Sequence, residues 1–310
     1  MTRRNSSSRP AAFLRWALCV PLVQLAKLFR SPVRWIVVAA ALVCGLGVGG
    51  HFAWRQFGQR VLERDAYLVR GDDIVLTAQP PWISAQTDVR AEVIRDASLD
   101  DAMSLLDERL TERIANAFAL HPWIEKVGRV TKHHPARVEV HVRWRRPACM
   151  IEVDGRLEPV DRHGVLLPGG DFSPKMARRY PRVTGIQSVP VGPVGTPWGD
   201  PRVSGAARIA AALGDVWHEL SLEELVASRS PSESPAGYDY TYDLFTRGGT
   251  RIHWGFSPET PMDSEPTTEE KVARLTAYAA EHGTLDRTDG RAWDLSGGQI
   301  LSARPGIGPR

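Results

Sequence analysis

From Trp35 to Trp54 the chain reads WIVVAAALVCGLGVGGHFAW, twenty residues without a lysine, arginine, aspartate or glutamate. Wound as an α-helix, such a run is about 30 Å long, the hydrocarbon thickness of a bilayer. Soluble cores rarely hold so long a charge-free helix. Trp35 at one end and Phe52 and Trp54 at the other suit the two interfaces, where amphipathic rings sit. Gly45, Gly47, Gly49 and Gly50 would weaken a soluble helix but are tolerated in a membrane helix. A cleaved signal peptide would start nearer the first residue and end in a small-residue cleavage site, which is missing. Arg3-Arg4 is followed by Asn5-Ser6-Ser7-Ser8 rather than the hydrophobic pair of a twin-arginine signal. The expectation is an uncleaved single-pass anchor.

Charge sets the expected orientation. Residues 1–34 hold seven bases (Arg3, Arg4, Arg9, Arg15, Lys27, Arg30, Arg34) and no acid. Such flanks resist translocation, so the N-terminus is expected in the cytoplasm and residues 55–310 outside. Of 39 bases in the chain, 32 remain after residue 34 against 36 acids, so the outer region is mildly acidic. No basic stripe suggests nucleic-acid binding. The segment Ala12–Phe29 is apolar but broken by Arg15, Pro21, Gln24 and Lys27; it reads as an interfacial helix or a disordered tail. Cys19, Cys44 and Cys149 cannot form a disulfide framework across a membrane. Cys149 is expected to be a buried small hydrophobe.

Beyond the polar connector Arg55–Asp65, Ile74–Thr77 reads as a short strand closed by Pro80-Pro81. Asp88–Arg95 reads as a helix capped by Thr87 or Asp88, and Thr111–Leu120 as another capped by Thr111 and ended by Pro122. Between them, Asp96–Asp107 reads as a loop. Val127–Val130 is a strand, His133-His134-Pro135 a turn, and Arg137–Trp144 alternates strictly. Val138, Val140, Val142 and Trp144 form one face of it, and Arg137, Glu139, His141 and Arg143 the other. This order of elements predicts an α+β unit. Met150–Val153 and Arg156–Glu158 flank Asp154-Gly155, a hairpin signal. A turn at Asp161–Gly164 leads into Val165–Leu167. After a Pro/Gly-rich connection (Pro190–Gly199) come a helix at Ser204–Leu213 and strands at Leu222–Val226, Tyr238–Phe245 and Arg251–Phe256. Thr267 and Glu270 form a capping box for a helix over Thr268–His282, stopped by Gly283. A last strand pair is expected at Ala292–Leu295 and Gln299–Leu301.

Side chains that could carry chemistry are scattered. His121, His133, His134, His141 and His163 lack metal-ligand spacing, and no Cys-x-x-Cys accompanies them. Asp72-Asp73, Asp100-Asp101 and Glu223-Glu224 read as solvated charge. Arg143, Arg145 and Arg146 form a basic cluster that could meet acidic cell-wall polymer or a partner's carboxylates, but it reads first as a solvated strand end. No nucleophile elbow, Walker loop or dinucleotide fingerprint occurs. The expectation is a non-enzymatic protein with no metal, cofactor or small-molecule substrate.

His121-Pro122-Trp123-Ile124-Glu125-Lys126-Val127, the alternating strand to Trp144, and Arg145-Arg146-Pro147-Ala148 resemble the FtsQ/DivIB family of bacterial division proteins. Val160-Asp161-x-x-Gly164-Val165, Tyr180-Pro181-Arg182-Val183-x-Gly185 and Glu270-Lys271-Val272 before Trp293-Asp294-Leu295 continue the series in order. The resemblance covers roughly residues 71–303 and the anchor. It implies a cytoplasmic tail (1–34), a transmembrane helix (35–54), a connector (55–70), an α+β POTRA domain (71–146), a mixed, mainly β domain with packed helices (147–303) and a short tail (304–310). It also implies a scaffold in the inner membrane that binds other division proteins, an FtsB/FtsL-like pair among them, through the last strands. On that basis Trp293, Asp294, Leu295, Gln299, Ile300 and Leu301 are the expected partner-binding residues. Where the family brings an aromatic residue and an arginine after its Asp-Leu pair, this chain has Ser296-Gly297-Gly298. The alternative expectation is a membrane-anchored chaperone or translocation module that adds client strands. A wall hydrolase is disfavoured by the missing acid/base pair.

Overall fold

The structure, a computed structural model of the chain, describes residues 33–62, 65–234, 237–260, 265–289, 291–297 and 302–305. The segment Ala12–Phe29 lies outside them. Helix α1 (Val33–Leu62) contains a stretch, Trp35–Arg55, that is long and apolar enough to cross a membrane. Its side chains from Trp35 to Trp54 are all exposed. That region is one compact unit; everything from Ala66 onward is another.

The second unit is a mixed α+β assembly with two main sheets, two two-stranded ribbons and two cores among the described residues. Its first sheet has three strands in the order β2 (Ile74–Leu76), β5 (Arg137–Trp144), β4 (Ile124–His133). The pairing β2–β5 is parallel and β4–β5 antiparallel. Val138 and Val140 are buried as the alternation requires, and Val142 and Trp144 pack on the same core. Helices α2 (Val89–Asp96) and α3 (Leu110–Ala119) precede β4 and contribute Val89, Val93, Leu110, Ile114 and Phe118 to that core. Asp88 caps α2 by accepting the Ala91 N–H at 3.0 Å.

Two details differ from expectation. The cap position of α3 is Arg109, with no side-chain cap, because full burial of Leu110 pulls the helix back past Thr111. Within Asp96–Asp107, β3 (Met103–Ser104) pairs antiparallel with β1 (Leu68–Val69), burying Met103 and Val69.

The larger sheet has eight strands in the order β15-β14-β13-β12-β9-β8-β6-β7. The hairpin β6 (Pro147–Val153) and β7 (Arg156–Asp161) turns at Asp154 (φ 50°) and Gly155 (φ 73°), the left-handed pair that a tight hairpin needs. Strands β8 (Arg182–Thr184) and β9 (Leu222–Ala227) join parallel to β6, and β12 (Thr241–Thr246) and β13 (Arg251–Phe256) follow antiparallel. The expected strand Tyr238–Phe245 divides at Tyr240. Its first part, β11 (Gly237–Asp239), leaves the sheet to pair with β10 (Ser232–Ser234), and the Asp239 carboxylate accepts the Tyr240 N–H at 2.7 Å.

Helix α4 (Pro201–Leu213) lies against β6 and β9. Asp200 caps it and Pro201 occupies its first turn, where a missing N–H costs nothing. Helix α5 (Thr268–His282) has the expected capping box and a left-handed Gly283 stop. It connects β13 to its parallel neighbour β14 (Arg291–Asp294). Strand β15 (Ser302–Pro305) then returns antiparallel to β14. Cys149 is fully buried, as expected for a small core residue.

The two sheets are tied by polar contacts. Arg145 meets Asp161 at 2.7 Å with side chains only 16% and 3% exposed. The Trp82 indole N–H donates to the Arg145 carbonyl at 2.9 Å, and that of Trp123 to Asp171 Oδ2 at 2.6 Å. Arg145 is therefore a buried tie and not the solvated strand end expected. Arg143 and Arg146, 60% and 73% exposed, remain the solvated residues expected, and Arg143 pairs with Glu125 on the neighbouring strand.

Candidate partner-binding edge

A strand accepts a further strand only where its outer N–H and C=O groups are free. In the small sheet, β2 is three residues long, and β4 is bulged near Ile124/Lys126 and Val127/Arg129. Lys126, Arg129 and Lys132 along β4 add charge, and bulges with charge discourage edge pairing. At one end of the large sheet, Asp161 N–H donates to the Val165 carbonyl at 3.0 Å and Leu167 N–H to the Pro159 carbonyl at 2.9 Å, so half of β7 is covered. At the other end, β15 pairs with β14 alone among the described residues.

What holds that last edge in place starts with α5. Lys271, buried near its start, donates to the Trp254 carbonyl at 2.8 Å and to Glu265 Oε2 at 2.6 Å. Burial pulls the Lys271 pKa below the ordinary lysine value, although Glu265 opposes the shift. Gly255 (φ 92°) makes room for this clip, since a Cβ there would lie 2.5 Å from the Glu265 carboxylate. On β14, Trp293 is 4% exposed. Its ring meets Tyr278 of α5 edge-on at 4.7 Å, its indole N–H donates to the Leu285 carbonyl at 2.9 Å, and Arg287 lies over its face at 4.1 Å. Asp294 is buried and accepts the Ser296 N–H at 3.0 Å and hydroxyl at 2.6 Å. Leu295, fully buried, extends the contact by donating its N–H to the His253 carbonyl at 2.9 Å. Arg274 of α5 donates to the Gly297 carbonyl at 3.1 Å.

The expected site residues therefore divide. Trp293, Asp294 and Leu295 come together at the end of the sheet but face inward, where they build the core behind the edge. Gln299, Ile300 and Leu301 lie outside the described residues. The described strand after the turn is Ser302–Pro305, with Trp293 opposite Ala303 and Asp294 opposite Ser302. No protein-family model matches the chain, and a search of curated proteins finds no match to it.

Beside this edge lies a polar row that alternation alone did not single out. Asp243, His253 and Asp294 are successive cross-strand neighbours on β12, β13 and β14. The Asp243 carboxylate takes His253 Nδ1 at 2.8 Å and Arg251 Nη2 at 2.7 Å. Burial works to raise the Asp243 pKa, but these two partners outweigh it and hold the carboxyl below the usual range. The histidines singled out earlier stay apart: His121 sits by Glu92 (3.1 Å), His133 by Glu139 (3.4 Å) and His163 by Glu125 (3.5 Å). Among the described residues no three metal-ligating side chains converge.

Proposed function

We propose that this chain is a non-enzymatic scaffold of the bacterial division complex, anchored in the cytoplasmic membrane and similar to FtsQ/DivIB proteins. In this reading Trp35–Trp54 spans the bilayer with the basic N-terminus in the cytoplasm. Residues 71–146 serve as the POTRA domain and 147–303 as the β domain. An FtsB/FtsL-like partner adds a strand to β15. One observation carries the reading: the eight-stranded sheet ends on a short strand whose outer side has no strand partner among the described residues. β-augmentation draws its affinity from backbone groups, which suits a sequence in which no catalytic motif was found. The ordered motifs give further support. Arg145 and Asp161, from two of them, are the two halves of the buried tie between the sheets.

Two experiments test this. A reporter active only in the cytoplasm, fused after Arg310, is expected to be silent; activity there overturns the topology. Proline introduced separately at Ala303 and Arg304 tests the edge. Neighbouring residues of a strand point their N–H groups to opposite sides, so one variant loses a bond to β14 and the other only an outward donor. The variant that stays folded is expected to lose capture of an FtsB/FtsL-like pair from crosslinked membranes. Undiminished capture by that variant sinks the proposal.

A further inference from the structure

Where β5 runs into β6, a cleft of about 450 Å³ opens between the two sheets. Trp82, Trp144, Tyr180 and Trp217 line it. The indole N–H groups of Trp82 and Trp144 are already bonded, to the carbonyls of Arg145 (2.9 Å) and Ala78 (3.0 Å). Both rings are thus held in place and offer only apolar and π surface.

The charges around the cleft are unevenly matched. Its acid Glu125 receives Arg143 at 2.8 Å and Arg162 at 3.1 Å. Asp161 takes Arg145 and the backbone N–H groups of His163 (2.8 Å) and Val165 (3.0 Å). Arg146, in contrast, reaches among the described residues only Asp215, itself a lining residue, at 3.6 Å, with side chains 73% and 91% exposed. Pairs of that kind contribute little and are readily exchanged. For Arg179, also a lining residue, no carboxylate lies within ion-pairing distance among the described residues. Arg146, Arg179 and Tyr180 all line this cleft. Two guanidinium groups with little to bind therefore stand beside an aromatic wall.

We propose that this cleft is a docking site for an acidic segment of a partner protein, in which carboxylates flank one aromatic or aliphatic side chain. A guanidinium fork matches a planar carboxylate, and the aromatic wall accepts the apolar side chain between. Trp, Tyr and Arg are also the residues that dominate binding energy at protein interfaces. The site lies away from β15 and does not depend on strand addition there.

The test uses the full-length protein in detergent micelles. Its probe is a blocked fluorescent heptapeptide carrying glutamates on both sides of one phenylalanine. Anisotropy is expected to show saturable binding that weakens with salt. Glutamine in place of every glutamate, or the double change Arg146→Glu and Arg179→Glu, is expected to weaken it by about tenfold or more. Both arginines are surface groups, so circular dichroism of the variant should match the parent; Arg→Lys at both positions is expected to restore part of the affinity. Failure of the peptide to bind, equal binding of its glutamine form, or unchanged affinity in the double variant overturns the proposal. Tighter binding of a carboxylated wall-glycan fragment than of the peptide reassigns the cleft and overturns it equally.

Discussion

The two ends of the large sheet handle exposed backbone in opposite ways. At the β7 end, Val165–Leu167 folds back over Pro159–Asp161, and that segment is covered in turn: Gly195 N–H donates to the Leu166 carbonyl at 2.8 Å. The Arg145–Asp161 pair locks this end to the small sheet. The other end has a rigid backing, and among the described residues no further strand pairs with β15. Trp293, Tyr278, Arg287 and the Lys271 clip fix β14, and β15 is laid on it as the last strand. The contrast teaches that buried side chains at a sheet end need not themselves form an interface. They form a firm template behind β14, on which β15 is laid.

That contrast can be broken at several points. The largest effect is expected for Trp293→Ala, which empties the backing of the open end and should cost about 3–5 kcal/mol. Urea unfolding of the region from Ala66 onward measures it, and a loss below about 1 kcal/mol would show that β14 is not the template described. At the covered end, Asp161→Ala leaves Arg145 buried without its partner and strips two backbone N–H groups of their acceptor. The cost should be about 3–4 kcal/mol, with partner capture at β15 retained when assayed below the unfolding transition. Capture lost there in a folded variant would mean that the two ends are coupled.

Acid should act more on the open end. The Asp243 pKa is depressed in the folded state, so its contribution is complete above the unfolded value near 3.8 and is lost as pH falls through the folded value. Asp243→Asn should lower stability at pH 7 by about 1–2 kcal/mol and flatten the acid limb of the stability profile. An unchanged limb assigns the acid loss to other carboxylates. The smallest change is Thr267→Ala, which removes the α5 cap and should cost about 1 kcal/mol, read from the same unfolding curves.

Much of this was legible in the sequence because the signals were local. The charge-free run, the alternation of β5, the Asp154-Gly155 turn and the Thr267–Glu270 capping box each act within one element. What escaped depends on distant partners. Ala292-Trp293-Asp294-Leu295 shows no alternation of burial, because α5 covers one side and the Ser296–Gly297 turn satisfies Asp294 on the other. Nothing near Arg145 announces that Asp161 will bury it, so it reads as one more base in a run. Trp293 looked like an exposed contact residue because its cover, Tyr278 and Arg287, lies on an element and a loop outside its own strand. Asp171, which takes the Trp123 indole, sits in a Gly-Gly-Asp turn with no signal of its own.

The most direct test of the open edge places a photo-crosslinking residue at Ser302, Ala303 or Arg304, and for comparison at Leu157 on the hairpin arm of β7, in membranes of dividing cells. Adducts with a second membrane protein are expected from β15 positions, weakened by the proline variant that stays folded, and none from Leu157. Adducts from Leu157 with none from β15 would contradict it.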